Sequence, residues 1–276
     1  MSVAYMACPG VFYDVIQYPA GEVQVRLPKS TLEMVRHADE VRVVAKIQDG
    51  NFMLLSLLMS ALRPETKKLT LILPYLPYGR ADRRFVEGDC AGLEIAARMI
   101  NAMYADRVVT LDAHNLFQAQ RIFNLVHVMP TKFFAQAAQH VSERITHDLC
   151  FVLPDAGAKR CILPEGYPVV QCTKIRDAVT GKLSGFKVPK IPTEAYLIVD
   201  DICDGGGTFL GIAAKIGVAH SGYLAITHGI FSKGHKDLNM AFDRVYCTNS
   251  FKTVYDEKDV QVCNAMQLIS QELDNG

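Results

Sequence analysis

Two adjacent aspartates, Asp200 and Asp201, close an apolar run from Leu197 to Val199. A third, Asp204, follows shortly with Gly205, Gly206, Gly207 and Thr208. Carboxylates at a strand tip accept hydrogen bonds from a vicinal diol or hold Mg²⁺ through water. Glycines ahead of a helix let backbone N–H groups close on a phosphate, and the helix dipole favours its charge. In open α/β sheets ligands bind at this place, outside the carboxyl ends of the strands. A diol with a phosphate describes a ribose phosphate. The plainer reading is a solvated Asp pair before a flexible turn, but consecutive Asp with a third close behind and a Gly-Gly-Thr ending is the rarer pattern.

Four further clusters fall just past apolar runs. LILPYLPYGRADRR (71–84) ends in Arg80, Asp82, Arg83 and Arg84, and arginines fixed there suit bidentate phosphate contacts. VVTLDAHN (108–115) places His114 at an equivalent strand end, and FVLPDAGAKR (151–160) places Asp155 at another. Lys174 and Arg176 stand at the mouth of the irregular stretch 176–193, a mobile flap that also fits a β-hairpin turning at Thr180–Gly181. Singly each cluster is equally well a solvated loop, but together they put cations, carboxylates and one imidazole where a cleft collects them. Neither a Walker A sequence nor a GxGxxG fingerprint is present, so any nucleotide is held by another scheme.

The elements that position these clusters are apolar strands alternating with helices. Strands are expected at 41–45, 69–74, 107–111, 149–153, 169–172, 196–199, 223–227 and 244–248. A helix is expected over Phe52–Leu62, and another is N-capped by Asp89 with the stripe Leu93, Ala96, Ala97, Ile100 and Met103. Continuous apolar strands between helices indicate an α/β fold of parallel sheets covered on both faces. At 276 residues the chain suits two such domains, pseudo-duplicated, divided near Pro130 to Ala135.

Lys plus Arg (29) equals Asp plus Glu (29), and no basic excess points to nucleic acid. The eight cysteines form no CxxC pair, which argues against structural zinc and a disulfide framework and for small apolar core residues in a reducing compartment. No signal-peptide pattern is apparent and FMLLSLLMSAL is too short to span a bilayer, so a cytoplasmic protein without membrane association is expected.

The order PYLPYGRADRR, TLDAHN, LPDAG, KIR, VDDICDGGGT resembles that of ribose-phosphate pyrophosphokinases, from YPAGE at Tyr18 to ITHGIF at Ile226. A phosphoribosyltransferase would share VDDICDGGGT but not the arginine turn, the His or the Lys-x-Arg pair. The resemblance implies two phosphoribosyltransferase-like domains, 1–132 and 133–276, the last helix packing back on the first. It implies transfer of the β,γ-diphosphoryl group of ATP, with Mg²⁺, to the C1 hydroxyl of ribose 5-phosphate, in a homo-oligomer. By the same resemblance Glu22, Arg80, Asp82, Arg83 and His114 serve ATP, and His114 and Asp155 serve Mg²⁺. Lys174, Arg176 and His114 are catalytic; Asp200 and Asp201 take the ribose hydroxyls; Asp204, Gly205, Gly206, Gly207 and Thr208 hold the 5-phosphate.

Three residues depart from the family pattern: Ala20 for Asp and Ala81 for Gln at the nucleotide end, and Gly205 for Thr in the phosphate loop. The opening segment is also curtailed, which bears on subunit contacts. Glycine at 205 removes a hydroxyl donor and is expected to open space beside the phosphate, favouring a 5-extended acceptor such as ADP-ribose as the runner-up. The changes at the nucleotide end motivate a different alternative, a non-catalytic regulatory paralogue.

Overall fold

In the computed structural model the described residues are 2–8, 10–47, 52–160, 163–176, 183–252 and 260–275. The chain divides into two compact units, 1–128 and 129–276. The first contains β1 (Val3–Cys8), β2 (Asp14–Gln17), β3 (Val23–Arg26), α1 (Lys29–His37), β4 (Glu40–Ala45), α2 (Phe52–Leu62), β5 (Leu69–Leu73), α3 (Gly92–Asn101), β6 (Arg107–Leu111), α4 (Leu116–Ala119) and β7 (Leu125–Val128). Its main sheet runs β1-β4-β5-β6-β7, every pairing parallel, and β2 with β3 forms a separate antiparallel hairpin.

The second unit contains α5 (Thr131–Ser142), β8 (Leu149–Leu153), β9 (Val169–Gln171), β10 (Thr173–Arg176), β11 (Leu183–Lys187), β12 (Ala195–Cys203), α6 (Gly207–Ile216), β13 (Ser221–Gly229), α7 (Lys236–Ala241), β14 (Arg244–Thr248), β15 (Val260–Cys263) and α8 (Ala265–Asn275). Its main sheet runs β15-β14-β13-β12-β8-β9, again parallel throughout. Each unit is therefore a parallel sheet flanked by helices, as the alternating pattern required. Within this unit α8 meets the start of α5, where Lys132 Nζ lies 3.4 Å from Gln271 Oε1.

Burial explains which strands the sequence revealed. All five residues of β5 and of β8 are buried, so they read as continuous apolar runs. Of the strands the sequence did not show, β1, β7 and β15 are edges of their main sheets, and β2 with β3 form the separate hairpin. His127 and Gln261 interrupt the apolar runs of β7 and β15, and β1 buries only alternate residues. In α2 the residues Phe52, Leu55, Leu58, Met59 and Leu62 form the buried face. Each such side chain stabilises the first core by about 1.5–3 kcal/mol.

Two expectations need correction. Asp89 does not cap α3, which begins at Gly92 behind Ala91. Its carboxylate instead accepts from Phe85 N and Val86 N at 3.0 and 3.1 Å, because an aspartate side chain competes for nearby turn amides. The described cysteines are free, but not all are core: Cys8, Cys150, Cys172, Cys203 and Cys247 are buried, whereas Cys90 is exposed. Cys161 and the Thr180–Gly181 turn lie outside the described residues, although β10 and β11 do pair antiparallel as a hairpin requires. Among the described residues no helix is long and apolar enough to cross a membrane.

Candidate functional site

The turn after β5 is built around one buried carboxylate. Asn115 Nδ2 donates to Asp82 Oδ2 at 2.6 Å, while Arg83 grips the same group through Nε (3.0 Å) and Nη2 (3.2 Å). Burial pushes the Asp82 carboxyl up, but these hydrogen bonds and the charges of Arg83 and His114 outweigh it and hold its pKa below the ordinary value. Asp82 thus stays ionised and fixes the root of Arg83, whose guanidinium remains exposed over the Phe85 ring. Arg80 is exposed beside it.

Close backbone approach completes the turn. Leu93 N at the start of α3 donates to Ala81 O at 3.0 Å, and a Cβ on Gly92 would stand 2.9 Å from the Ala81 methyl. Ala81 therefore packs toward α3. Gly79 sits against the next loop, where its Cβ would lie 3.6 Å from that of His114. The residue after His114 does double duty: Asn115 Oδ1 accepts from Gln118 N to cap α4 while its amide holds Asp82. Sequence reasoning quoted Asn115 without giving it this task; the N-cap signal was there, the pairing across 33 positions was not.

Among the described residues three of the five non-glycine residues with positive φ stand at these strand ends. Tyr78, Asp112 and Phe231, after β5, β6 and β13, adopt left-handed φ values of 60°, 43° and 49°. Each costs on the order of 1–3 kcal/mol and persists only where surroundings enforce it, commonly at functional loops. Ala113 N donates to His127 Nε2 at 2.9 Å, so the edge strand β7 helps fix the loop that bears His114.

Glu22 is placed differently. It sits exposed at the tip of the β2–β3 hairpin, where Tyr18 N donates to Glu22 O at 2.8 Å. Among the described residues its carboxylate touches neither Arg80 nor Arg83.

In the second unit Lys174, on β10, donates from Nζ to Asp155 Oδ2 at 2.5 Å. Asp155 Oδ1 accepts from Gly157 N and Ala158 N at 2.7 and 3.3 Å. Burial raises the Asp155 pKa, but Lys174 and these two amides together bring it below the ordinary value. Of Arg176 only the backbone is described, paired opposite Leu183.

The aspartate pair lies inside β12, which continues to Cys203 rather than ending at Val199. Successive strand residues point to opposite faces. Asp200 is half-buried, with Oδ1 accepting from Asp201 N at 3.0 Å, whereas Asp201 is 2 % exposed. The accessible carboxylates are those of Asp200 and Asp204. Gly206, at φ 78°, turns the chain into α6, which opens at Gly207, one residue before Thr208. A Cβ on Gly207 would meet nothing within 4 Å, leaving an open approach to the first amides of the helix. The space expected beside Gly205 is not open. An added Cβ there would lie 3.3–3.6 Å from Cδ, Cε and Cγ of Lys233, a residue that sequence reasoning missed.

A hard divalent ion such as Mg²⁺ uses one or two carboxylates and completes its shell with water and substrate phosphates. The donor sets here fit that mode. Asp155 already accepts three hydrogen bonds, and a carboxylate offers about four lone-pair positions, so room for one more contact remains. Among the described residues no three His, Cys, Asp or Glu side chains converge into an all-protein cage.

Residues 3–104 match the model of the N-terminal domain of ribose phosphate pyrophosphokinase. Ribose-phosphate pyrophosphokinase of Pyrococcus furiosus is 29% identical over 263 residues, covering 87% of this chain and 86% of that protein. That of Saccharolobus solfataricus is 30% identical over 206 residues, covering 70% and 67%. Ribose-phosphate pyrophosphokinase 3 of Saccharomyces cerevisiae is 28% identical over 270 residues, covering 91% and 78%. The crystal structure of phosphoribosylpyrophosphate synthetase from Mycobacterium smegmatis superposes with a TM-score of 0.76 at 21% identity, covering all of both chains. With the fold matched over its full length and the sequence over most of it, the chain belongs to the ribose-phosphate pyrophosphokinase family, a family of diphosphoryl-transferring enzymes.

Proposed function

We propose that this chain transfers the β,γ-diphosphoryl group of ATP to the C1 hydroxyl of ribose 5-phosphate, releasing AMP. The observation that carries this reading is the arginine turn locked to the His114 loop through Asp82 and Asn115. A protein that merely consumed an activated ribose would need the glycine loop of the second unit and have no use for this additional cationic turn.

Arg80 and Arg83 bind the ATP phosphates, Arg83 as a guanidinium whose root Asp82 keeps fixed. His114 donates to the same phosphates, and Glu22 serves the nucleotide from its hairpin. Asp200 and Asp201 serve the ribose hydroxyls, Asp200 being the more accessible of the pair. Asp204 through Thr208 surround the 5-phosphate with backbone amides. Little covalent chemistry falls to the protein; alignment and charge neutralisation supply the acceleration. Lys174 releases Asp155 and, with Arg176, moves onto the transferring group as its charge develops. His114 in the first unit and Asp155 in the second are each residues that would contact Mg²⁺, which would supply neutralisation of phosphate charge.

Incubation with ATP, Mg²⁺ and ribose 5-phosphate tests this directly, with AMP followed by chromatography. AMP appears only when all three are present. ATP-independent consumption of phosphoribosyl pyrophosphate with a base would instead mark a phosphoribosyltransferase, and inertness in both assays a non-catalytic paralogue.

A further inference from the structure

Lys233 lies beyond the ITHGIF segment at which the family resemblance ends, yet the fold brings it onto the phosphate loop. Ile230 N and Phe231 N donate to Cys203 O at 2.9 and 3.1 Å, and Ser232 N donates to Asp204 O at 3.2 Å. Gly234 N closes the turn on Phe231 O at 2.9 Å, with Phe231 and Gly234 both at positive φ. The turn 230–234 is thereby strapped to the backbone that enters the Asp204–Thr208 loop. From it the aliphatic stem of Lys233 runs along the bare Cα of Gly205, filling the place of a side chain. The residue is exposed, and among the described residues no carboxylate or carbonyl engages its ammonium.

We propose that Lys233 is a substrate-binding residue whose ammonium holds the terminal 5-phosphate of the acceptor and makes the site selective for a phosphomonoester. This inference rests on the reading of Asp204–Thr208 as the phosphate loop. Gly205 is what admits the lysine: a Thr at 205 would put its Cβ against the stem and its hydroxyl and methyl further into it. A monoester approaches two negative charges at neutral pH, whereas the 5-phosphate of ADP-ribose, bridged to a second phosphate, carries one. A flexible cation beside the loop strengthens charge-assisted hydrogen bonding to the former more than to the latter. Gly205 with Lys233 thus favours ribose 5-phosphate, the reverse of what the glycine alone suggested.

The test is a double-mutant cycle read in two ways. Calorimetric titration with ribose 5-phosphate, without ATP, measures binding; initial rates with ribose 5-phosphate or ADP-ribose measure KM and kcat. Lys233→Ala is expected to weaken ribose 5-phosphate binding and raise its KM about tenfold, with kcat and the ADP-ribose KM little changed. Lys233→Arg restores most of the affinity, and an unchanged melting curve shows that the fold is kept. Gly205→Thr weakens binding in the native chain, where it displaces the lysine, but strengthens it in Lys233→Ala. Unaltered binding in Lys233→Ala, additive effects of the two changes, or a native preference for ADP-ribose would each overturn the proposal. A native chain that binds ribose 5-phosphate through Lys233 yet releases no AMP would sink the proposed reaction and leave this site standing.

Discussion

The turn after β5 and the loop after β12 occupy corresponding places, past the carboxyl end of a buried parallel strand, but they are held by different means. Side chains hold the first: Asp82 is buried and ionised, and two partners clamp it. Backbone holds the second, through a left-handed Gly206 and a neighbouring turn hydrogen-bonded to Cys203 and Asp204. A cation that must sit at one point on a polyphosphate needs its root fixed. A loop that wraps a single phosphate needs main-chain amides, and side chains at its centre would obstruct them. The left-handed geometry at Gly206 and the open space at Gly207 meet that need.

A third buried carboxylate shows that burial and pairing alone do not mark a ligand site. Glu40 opens β4, at the opposite end of the same sheet from Asp82. It accepts from Thr70 Oγ1 (2.5 Å), Arg107 Nη2 (2.9 Å) and Arg42 Nε (3.1 Å). Burial drives its pKa up, but Thr70, Arg42 and Arg107 prevail and keep it ionised. This cluster joins the amino ends of β4, β5 and β6, away from the strand ends that carry the chemical clusters.

Breaking it should give the largest effect on stability. Glu40→Ala removes the buried carboxylate that Arg42 and Arg107 share and is expected to cost about 3–5 kcal/mol in urea unfolding, with KM for ATP unchanged in the folded fraction. A shift in that KM would mean that the two ends of the sheet are coupled. Lys174→Ala should act mainly on rate, lowering turnover about a hundredfold, or roughly 3 kcal/mol of transition-state stabilisation, while the protein stays folded. Near-normal turnover would remove Lys174 from the mechanism. Gly206→Ala should be the mildest: it forces a side chain into left-handed backbone and puts Cβ 3.1 Å from Leu238, costing about 1–2 kcal/mol. Its KM for ribose 5-phosphate should rise while that for ATP holds. An equal rise in both would contradict the division of labour between the two loops.

The sequence made the doubly covered strands visible because burial on both faces leaves a continuous apolar run, as in LTLIL at 69–73. It hid β7 and β15, whose apolar runs His127 and Gln261 break, and β1, which buries only alternate residues. The chemical clusters were legible for a similar reason: in a parallel fold a charged residue directly after an apolar run stands at the binding end. What stayed hidden were pairings made by the fold itself. Nothing in the local sequence ties Asn115 to Asp82 or Lys233 to Gly205, and nothing separates the accessible Asp200 from the buried Asp201 until the strand is seen to continue through both. Asp89 misled because a helix cap and a turn cap use the same side chain.

The central claim is that a diphosphoryl group, not a single phosphoryl group, moves to the C1 oxygen. Phosphorus NMR of a reaction mixture holding this protein, ATP, Mg²⁺ and ribose 5-phosphate reads that transfer bond by bond. The account predicts equal growth of AMP and of a pair of mutually coupled pyrophosphate resonances, one split by the anomeric proton, while the 5-phosphate signal persists. Formation of ADP with a single new phosphate on the sugar, or no change with active enzyme of the same family as a control, would contradict it.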